Sequence, residues 1–295
     1  LSVPFLPGLA GSCRPQPNIV LIVADDLGYG DLGCYGQKNF KTPNLDRMAA
    51  EGMRFTQHYS GSTVCAPSRC CLMTGMHTGH AQIRGNKEIQ PIGQYPLKEG
   101  TLTLARLLQQ AGYKTGMFGK WGLGYPGSSG DPLNQGFDTF FGYNCQRNAH
   151  NYYPSFLFHD KDKVPLDGKT YSHDLIIEKA FDFIKNNQNN RFFCYLPVTI
   201  PHASMHAPPD LHNKWREKLP QFNDVTADYG GPRVQNPVAA FPAMVTHLDN
   251  QIGSLFRLIK ELKLDDNTLV LFTSDNGPHK EGGHRPDFWD SNGPF

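Results

Sequence analysis

Two short runs, NIVLIVADD at 18–26 and TLVLFTSDN at 268–276, constrain this chain more than anything else in it. Each is a continuous apolar stretch bounded by polar residues, the pattern of a strand buried on both faces of a parallel sheet. Each ends in neighbouring side chains that carry oxygen: Asp25 with Asp26, and Asp275 with Asn276. Ligands of open α/β sheets bind at the carboxyl ends of the strands, so the two ends can converge on one cation. Three carboxylates and an amide oxygen form a hard set suited to calcium or magnesium rather than zinc. Taken singly, either pair reads better as turn or capping residues, and it is their matched placement that favours a metal.

Between these runs, helices and strands alternate. TPNLDRMAAEGMRF predicts a helix with Thr42 as N-cap, Pro43 as first residue and Gly52 as its stop. Further helices are predicted over 67–75 (opening at Pro67), 101–113, 172–187 and 241–263, and strands over 114–122 and 191–200. The stretch 123–170, rich in Gly, Asn, Tyr and Asp, reads mostly as loop. This order predicts an α/β sandwich with a central, mostly parallel sheet flanked by helices. No linker composition interrupts it. A net charge of +1 without a basic block excludes nucleic acid as an obvious partner, and no apolar run reaches the roughly 18 residues of a membrane span.

Residues 1–16 read as a signal-peptide or lipoprotein remnant or a flexible tail. LSVPFLPGLAGSC is apolar and free of charge, and LAGSC is similar to a lipoprotein cleavage box ending at Cys13. That reading predicts an extracytoplasmic protein, whether periplasmic, secreted or lipid-anchored. Residues 17–295 then form one catalytic domain, and the loop-like ending DFWDSNGPF predicts truncation before a further subdomain. The seven cysteines are irregularly spaced and include no C-x-x-C pair, so neither a zinc site nor a thioredoxin-type motif is supported.

Three of those cysteines fall in STVCAPSRCCLMTG, residues 62–75. Cys65 precedes the predicted helix, where unpaired N–H groups and the positive helix end favour an anion, and Arg69 adds a full charge. Such a pocket suits a thiolate or an oxyanion-bearing substrate; a buried small residue is the alternative. Cys70 and Cys71, in the apolar run CCLM, read as packing.

CAPSRCCLMTG resembles the signature of the type I, formylglycine-dependent sulfatases of the alkaline phosphatase superfamily. PNIVLIVADDLGYGDLGCYG, TPNLDRMAAEGMRF, GKWGLG, IPH and FTSDNGP follow in that family's order. The resemblance implies the alkaline-phosphatase-like fold and hydrolysis of sulfate monoesters, on a sulfated carbohydrate or an aryl sulfate. It implies one calcium ion held by Asp25, Asp26, Asp275 and Asn276 and faced by Cys65. It implies too that a maturation enzyme oxidises Cys65 to formylglycine. Arg69 matches the arginine beside that group, Lys120 the lysine touching it and the sulfate, and His202 the histidine near the leaving-group oxygen. By the family's chemistry the aldehyde hydrates to a geminal diol, and one hydroxyl attacks sulfur as the alcohol leaves, giving a covalent sulfo-enzyme. The second hydroxyl then loses its proton and the carbon collapses to aldehyde, expelling sulfate.

The chain departs from the family at two places. Many relatives read Lys-x-His where this chain has Lys120-Trp121-Gly122, and His77, His80 or His206 are the candidates to compensate. The family's later sulfate-binding lysine has no clear counterpart, and Lys280 is carried for it. Loops 77–100 and 123–170 are expected at the pocket mouth, with Arg84, Asn86, His150 and Tyr152 available to hydrogen-bond a sugar. The rival readings are a phosphomonoester or phosphodiester hydrolase of the same superfamily, and a degenerate calcium-dependent module that only holds sulfated glycans.

Overall fold

The computed structural model describes residues 16–295, so the leader-remnant reading of residues 1–16, with its Cys13, lies outside the described residues but for Gln16. Strands β1 (Asn18–Ala24), β2 (Lys114–Lys120), β3 (Thr139–Tyr143), β4 (Phe156–His159), β5 (Asp162–Pro165), β6 (Phe192–Pro197) and β9 (Thr268–Ser274) form one sheet in the order β5-β4-β3-β2-β6-β1-β9. Strands β9, β1, β6, β2 and β3 run parallel, while β4 and β5 extend the far edge as antiparallel hairpins. A small separate ribbon pairs β7 (Thr226–Ala227) with β8 (Val234–Gln235).

The helices among the described residues are α1 (Pro43–Glu51), α2 (Cys65–Thr74), α3 (Leu104–Gln110), α4 (Ser172–Asn186), α5 (Pro209–Lys218), α6 (Pro237–Glu261) and the short α7 (Pro286–Trp289). Alternate residues of β1 enter two separate cores. Val20, Ile22 and Ala24 join Ile176 of α4 and Val245 and Leu248 of α6. Leu21 and Val23 join Cys70 and Met73 of α2 and Ala105 of α3. A strand covered on both faces has no solvent side, which is why NIVLIVA reads as unbroken apolar sequence.

The matching run at 268–274 has a different setting. β9 lies at the sheet edge, and its Leu269 and Leu271 are 47% and 38% exposed. Further corrections fall on local structure. The stretch 123–170 is mostly loop but also holds the short strands β3, β4 and β5, and the segment after β6 contains α5. Helix α2 begins at Cys65, two residues before Pro67, with Val64 as its cap residue. Thr42 occupies the N-cap position of α1, but its hydroxyl is given to Asp46. The free N–H groups of Asn44 and Leu45 are satisfied by the carboxylate of Asp249 on α6.

Candidate active site

Parallel strands bring their carboxyl ends to one side of the sheet, and there the chain gathers its chemistry. Asp25 and Asp26 follow β1, Asp275 and Asn276 follow the neighbouring β9, Lys120 closes β2, and His202 lies in the loop after β6. Pairing of Ala24 with Ser274 puts the two acidic pairs level. The backbone N–H of Asp26 donates to Asp275 Oδ1 at 3.1 Å, tying them directly.

Cys65 enters from the first turn of α2. Its Sγ lies 3.5 Å from Asp25 Oδ1 and 3.3 Å from Lys120 Nζ. One turn on, Arg69 is fully buried and grips Asp275 Oδ2 with Nε at 3.1 Å and Nη2 at 2.8 Å, while its Nη1 donates to the carbonyl of Lys120 at 2.6 Å. Ser68 Oγ donates to the Asp275 carbonyl, and Asn86 Oδ1 accepts from the N–H of Ala66. Asn86 thus serves the start of α2. Cys70 and Cys71 are buried in core, as their apolar setting predicts.

The charges do not balance. Burial alone would raise Asp25, but Lys120, His202 and Arg69 hold it far below the usual carboxylate range. Burial and the negative field of Asp25 and Asp275 push Asp26 well above that range, and burial with Asp25 lifts Asp275 to about 7. Three buried carboxylates face two buried cations, leaving an excess of negative charge. Asn276 adds a buried Oδ1 with no hydrogen-bond partner among the described residues. An orphaned acceptor beside crowded carboxylates is the donor set a hard divalent cation requires, so these residues fit a metal ion. The ligand atoms of Asp25, Asp26, Cys65 and His202 also lie within 4.8 Å of one another.

His202 is buried beside Asp26. Its Nδ1 faces the carbonyl of Ala203, which can only accept, so Nδ1 carries hydrogen and Nε2 faces Asp26 Oδ2 at 3.1 Å. Burial lowers the imidazole to about 4. Tyr152 fixes this loop from below, its hydroxyl lying 2.8 Å and 2.7 Å from the carbonyls of Thr199 and His202. His150 stacks on His202, centroids 5.0 Å apart, and Tyr229 from the β7–β8 ribbon tilts against both rings.

Other sequence candidates are engaged elsewhere. His77 and His80 are exposed, and His77 Nδ1 accepts from Gly79 within its own turn. Arg84 donates to the carbonyls of Ala81 and Gly79. His206 uses Nε2 on the Pro232 carbonyl and Nδ1 on the N–H of Tyr152, which fastens the β7–β8 ribbon. Lys280 is exposed and lies 3.5 Å from Asp287. Sequence reasoning missed His279, whose Nε2 is 3.8 Å from Asp26 Oδ2, and Glu281 and Tyr229 near it. His279 was within reach, since it follows Asn276 by three residues in the same strand-end loop.

A buried cysteine, two buried cations and a crowded carboxylate set thus meet at the carboxyl edge of the sheet, where ligands of such folds bind. The sulfatase family model matches residues 17–292, and the chain belongs to the sulfatase family. N-acetylgalactosamine-6-sulfatase from dog and from human are each 36% identical over 98% of this chain and 55% of their own length. Rat arylsulfatase G is 31% identical over 94% of this chain and 55% of its own. The chain spans about half the length of these curated relatives. The crystal structure of Ps i-CgsB superposes with a TM-score of 0.76 at 27% identity, covering 92% of this chain and 61% of that one. The fold is accordingly alkaline-phosphatase-like, with the mixed, mostly parallel sheet expected of it.

Proposed function

We propose that the protein hydrolyses sulfate monoesters on a sulfated carbohydrate, through Cys65 converted to formylglycine and a calcium ion held by Asp25, Asp26, Asp275 and Asn276. The observation that carries this is the placement of Cys65 Sγ between Lys120 Nζ at 3.3 Å and Asp25 Oδ1 at 3.5 Å, at the start of a helix and inside a carboxylate set short of positive charge. Carbohydrate enters from the relatives, named for N-acetylgalactosamine-6-sulfate, and from Ps i-CgsB, solved also with k-i-k-neocarrahexaose.

When present, calcium and the oxidised Cys65 supply a Lewis acid for the sulfate oxygens and an oxygen nucleophile for sulfur. The remaining work falls to side chains. Sulfate esters resist attack because their oxygens are negative; Lys120 and Arg69, preorganised without water, offset that charge. Asp275 and the Lys120 carbonyl fix the Arg69 fork, so its charge stays aimed. His202, with Nδ1–H committed to Ala203, turns Nε2 toward the site; a proton taken up there from water, giving the imidazolium, would be the one passed to the departing alcohol.

Mass spectrometry of the Cys65 peptide, from a host that supplies the maturation enzyme, is expected to show the lighter aldehyde form. Sulfate release should follow across a panel of sulfated glycans. A thiol that stays unmodified under those conditions sinks the proposal. One observation favours a phosphate-ester reading: Asp26, His279 and Glu281 place ligand atoms within 4.8 Å, as a second metal would need. Aryl phosphate turned over faster than aryl sulfate would select it.

A further inference from the structure

Gly122 stands where many sulfatases carry a histidine, and the space its side chain would fill is already taken. A Cβ built on Gly122 would lie 2.1 Å from Nε2 of Gln146 and 3.0 Å from its Cδ. Gln146 follows β3, the strand beside β2, and the two strands go on pairing past Lys120. Trp121 N–H donates to the Tyr143 carbonyl and Gly122 N–H to that of Asn144. This pairing carries Asn144 and Gln146 to the carboxyl edge of the sheet, beside the strand that ends in Lys120.

The amides gathered there lack partners. Gln146 is 3% exposed and Asn144 and Gln94 each 1%, and both polar atoms of all three side chains make no hydrogen bond among the described residues. Gln94 joins the same segment through its N–H, which donates to the Gly124 carbonyl. Buried amides are seldom left unpaired, because desolvation without a partner is costly. Two orphaned atoms of Gln146 beside Gly122, and four more on Asn144 and Gln94, whose backbones pair with residues 122 and 124, therefore call for polar occupants.

We propose that Gln146 takes the place of the missing histidine as a ligand of the substrate's sulfate group, its Nε2–H donating to a sulfate oxygen while Asn144 and Gln94 complete a neutral amide cradle. This deepens the sulfatase reading above and rests on it. A neutral amide suits the position. Lys120 and Arg69 already supply positive charge, and an amide donor neither adds to it nor loses its hydrogen as pH changes.

The test uses matured, calcium-loaded protein with inorganic sulfate, measured by calorimetry and as an inhibitor of aryl sulfate turnover. Gln146→Ala should weaken sulfate binding about tenfold, the size of one lost hydrogen bond to a charged group. Gln146→Glu, the same shape with a negative charge, should weaken it on the order of a hundredfold or more. In Gln146→Ala calcium affinity and melting temperature should stay near the wild-type values, because the amide has no hydrogen bond to lose among the described residues, which a merely structural glutamine would not allow. Should Gln146→Ala fail to fold, Gln146→Met provides a second route, since it keeps the length of the side chain without its donor and should weaken sulfate binding likewise. Wild-type sulfate affinity in Gln146→Ala and Gln146→Glu would mean the amides hold buried water and would overturn the assignment alone. A wild-type protein that neither binds nor releases sulfate would overturn the sulfatase reading, and this inference with it.

Discussion

Lys120 Nζ lies 2.6 Å from Asp25 Oδ2, and both side chains are buried. Burial would drive the ammonium to lose its proton, but Asp25 keeps it charged and raises it above the ordinary lysine range. Removing one member of such a pair leaves the other desolvated and underpaired, a cost of about 3–5 kcal/mol. Lys120→Met is therefore expected to lower stability by about that much in chemical denaturation. In whatever folds, sulfate ester turnover should fall roughly a thousandfold, as expected when a preorganised charge is lost. A stable variant within about tenfold of wild-type kcat would show that Lys120 touches neither the nucleophile nor the sulfate.

The crowding of Asp25, Asp26 and Asp275 gives metal dependence a direction. With no cation, Asp26 is pushed far above the ordinary carboxylate range by burial and its acidic neighbours. Asp26→Asn should then melt higher than wild type in chelator, because the repulsion is gone, yet gain nothing from calcium. Wild type should gain about 2.7 kcal/mol at calcium a hundred times its dissociation constant. Melting curves with chelator and with a calcium titration separate the two. A variant less stable than wild type in chelator would mean that the repulsion is not felt.

Much of this site was legible because it hangs from short-range patterns. An apolar run with an acidic end reads directly as a strand delivering ligands, and Cys65 with Arg69 four residues later reads as one turn of helix. The remainder depends on contacts distant in sequence. Asn86 supports the start of α2 across a loop, and Gln146 meets Gly122 only because β2 and β3 lie side by side. Strands β3 to β5 escaped notice because five- and four-residue strands among Gly, Asn and Tyr carry too little periodicity. Exposed Leu269 and Leu271 make the same point: a run tells that a strand is apolar, not where in the sheet it lies.

The start of α1 is a further case, and it can be tested. Asp249 Oδ1 accepts from the N–H of Asn44 at 3.1 Å and of Leu45 at 2.9 Å, and Oδ2 accepts from Asn44 Nδ2 at 2.8 Å. A buried carboxylate from α6, 205 residues away, does what Thr42 was expected to do. Asp249→Ala should cost about 2–3 kcal/mol by orphaning those donors. Thr42→Val should cost less, since that hydroxyl bonds Gly33 N–H and Asp46 rather than the helix N–H groups. Because α1 stands away from the carboxylates, kcat per folded molecule should not move in Asp249→Ala. Equal destabilisation by the two variants would contradict the capping role given to Asp249.

Asp31 gives stability a pH dependence that can be isolated. Its Oδ2 accepts from Gly28 N–H at 2.7 Å, and burial, against the opposing pull of Ser291 and Gly28, raises the carboxyl from 3.8 to about 7. The folded protein therefore binds this proton more tightly than the unfolded chain does. Its contribution is fully present below about 4 and is lost as pH rises through about 7, because ionising in place costs more than ionising in water. Asp31→Asn keeps an oxygen for Gly28 but cannot ionise. The stability of the variant relative to wild type should thus rise steadily from pH 4 to pH 7 and level off above that. Denaturation midpoints for both proteins across this range check it, and a difference that stays flat, or that falls with pH, would show Asp31 ionised in the fold at an ordinary pH.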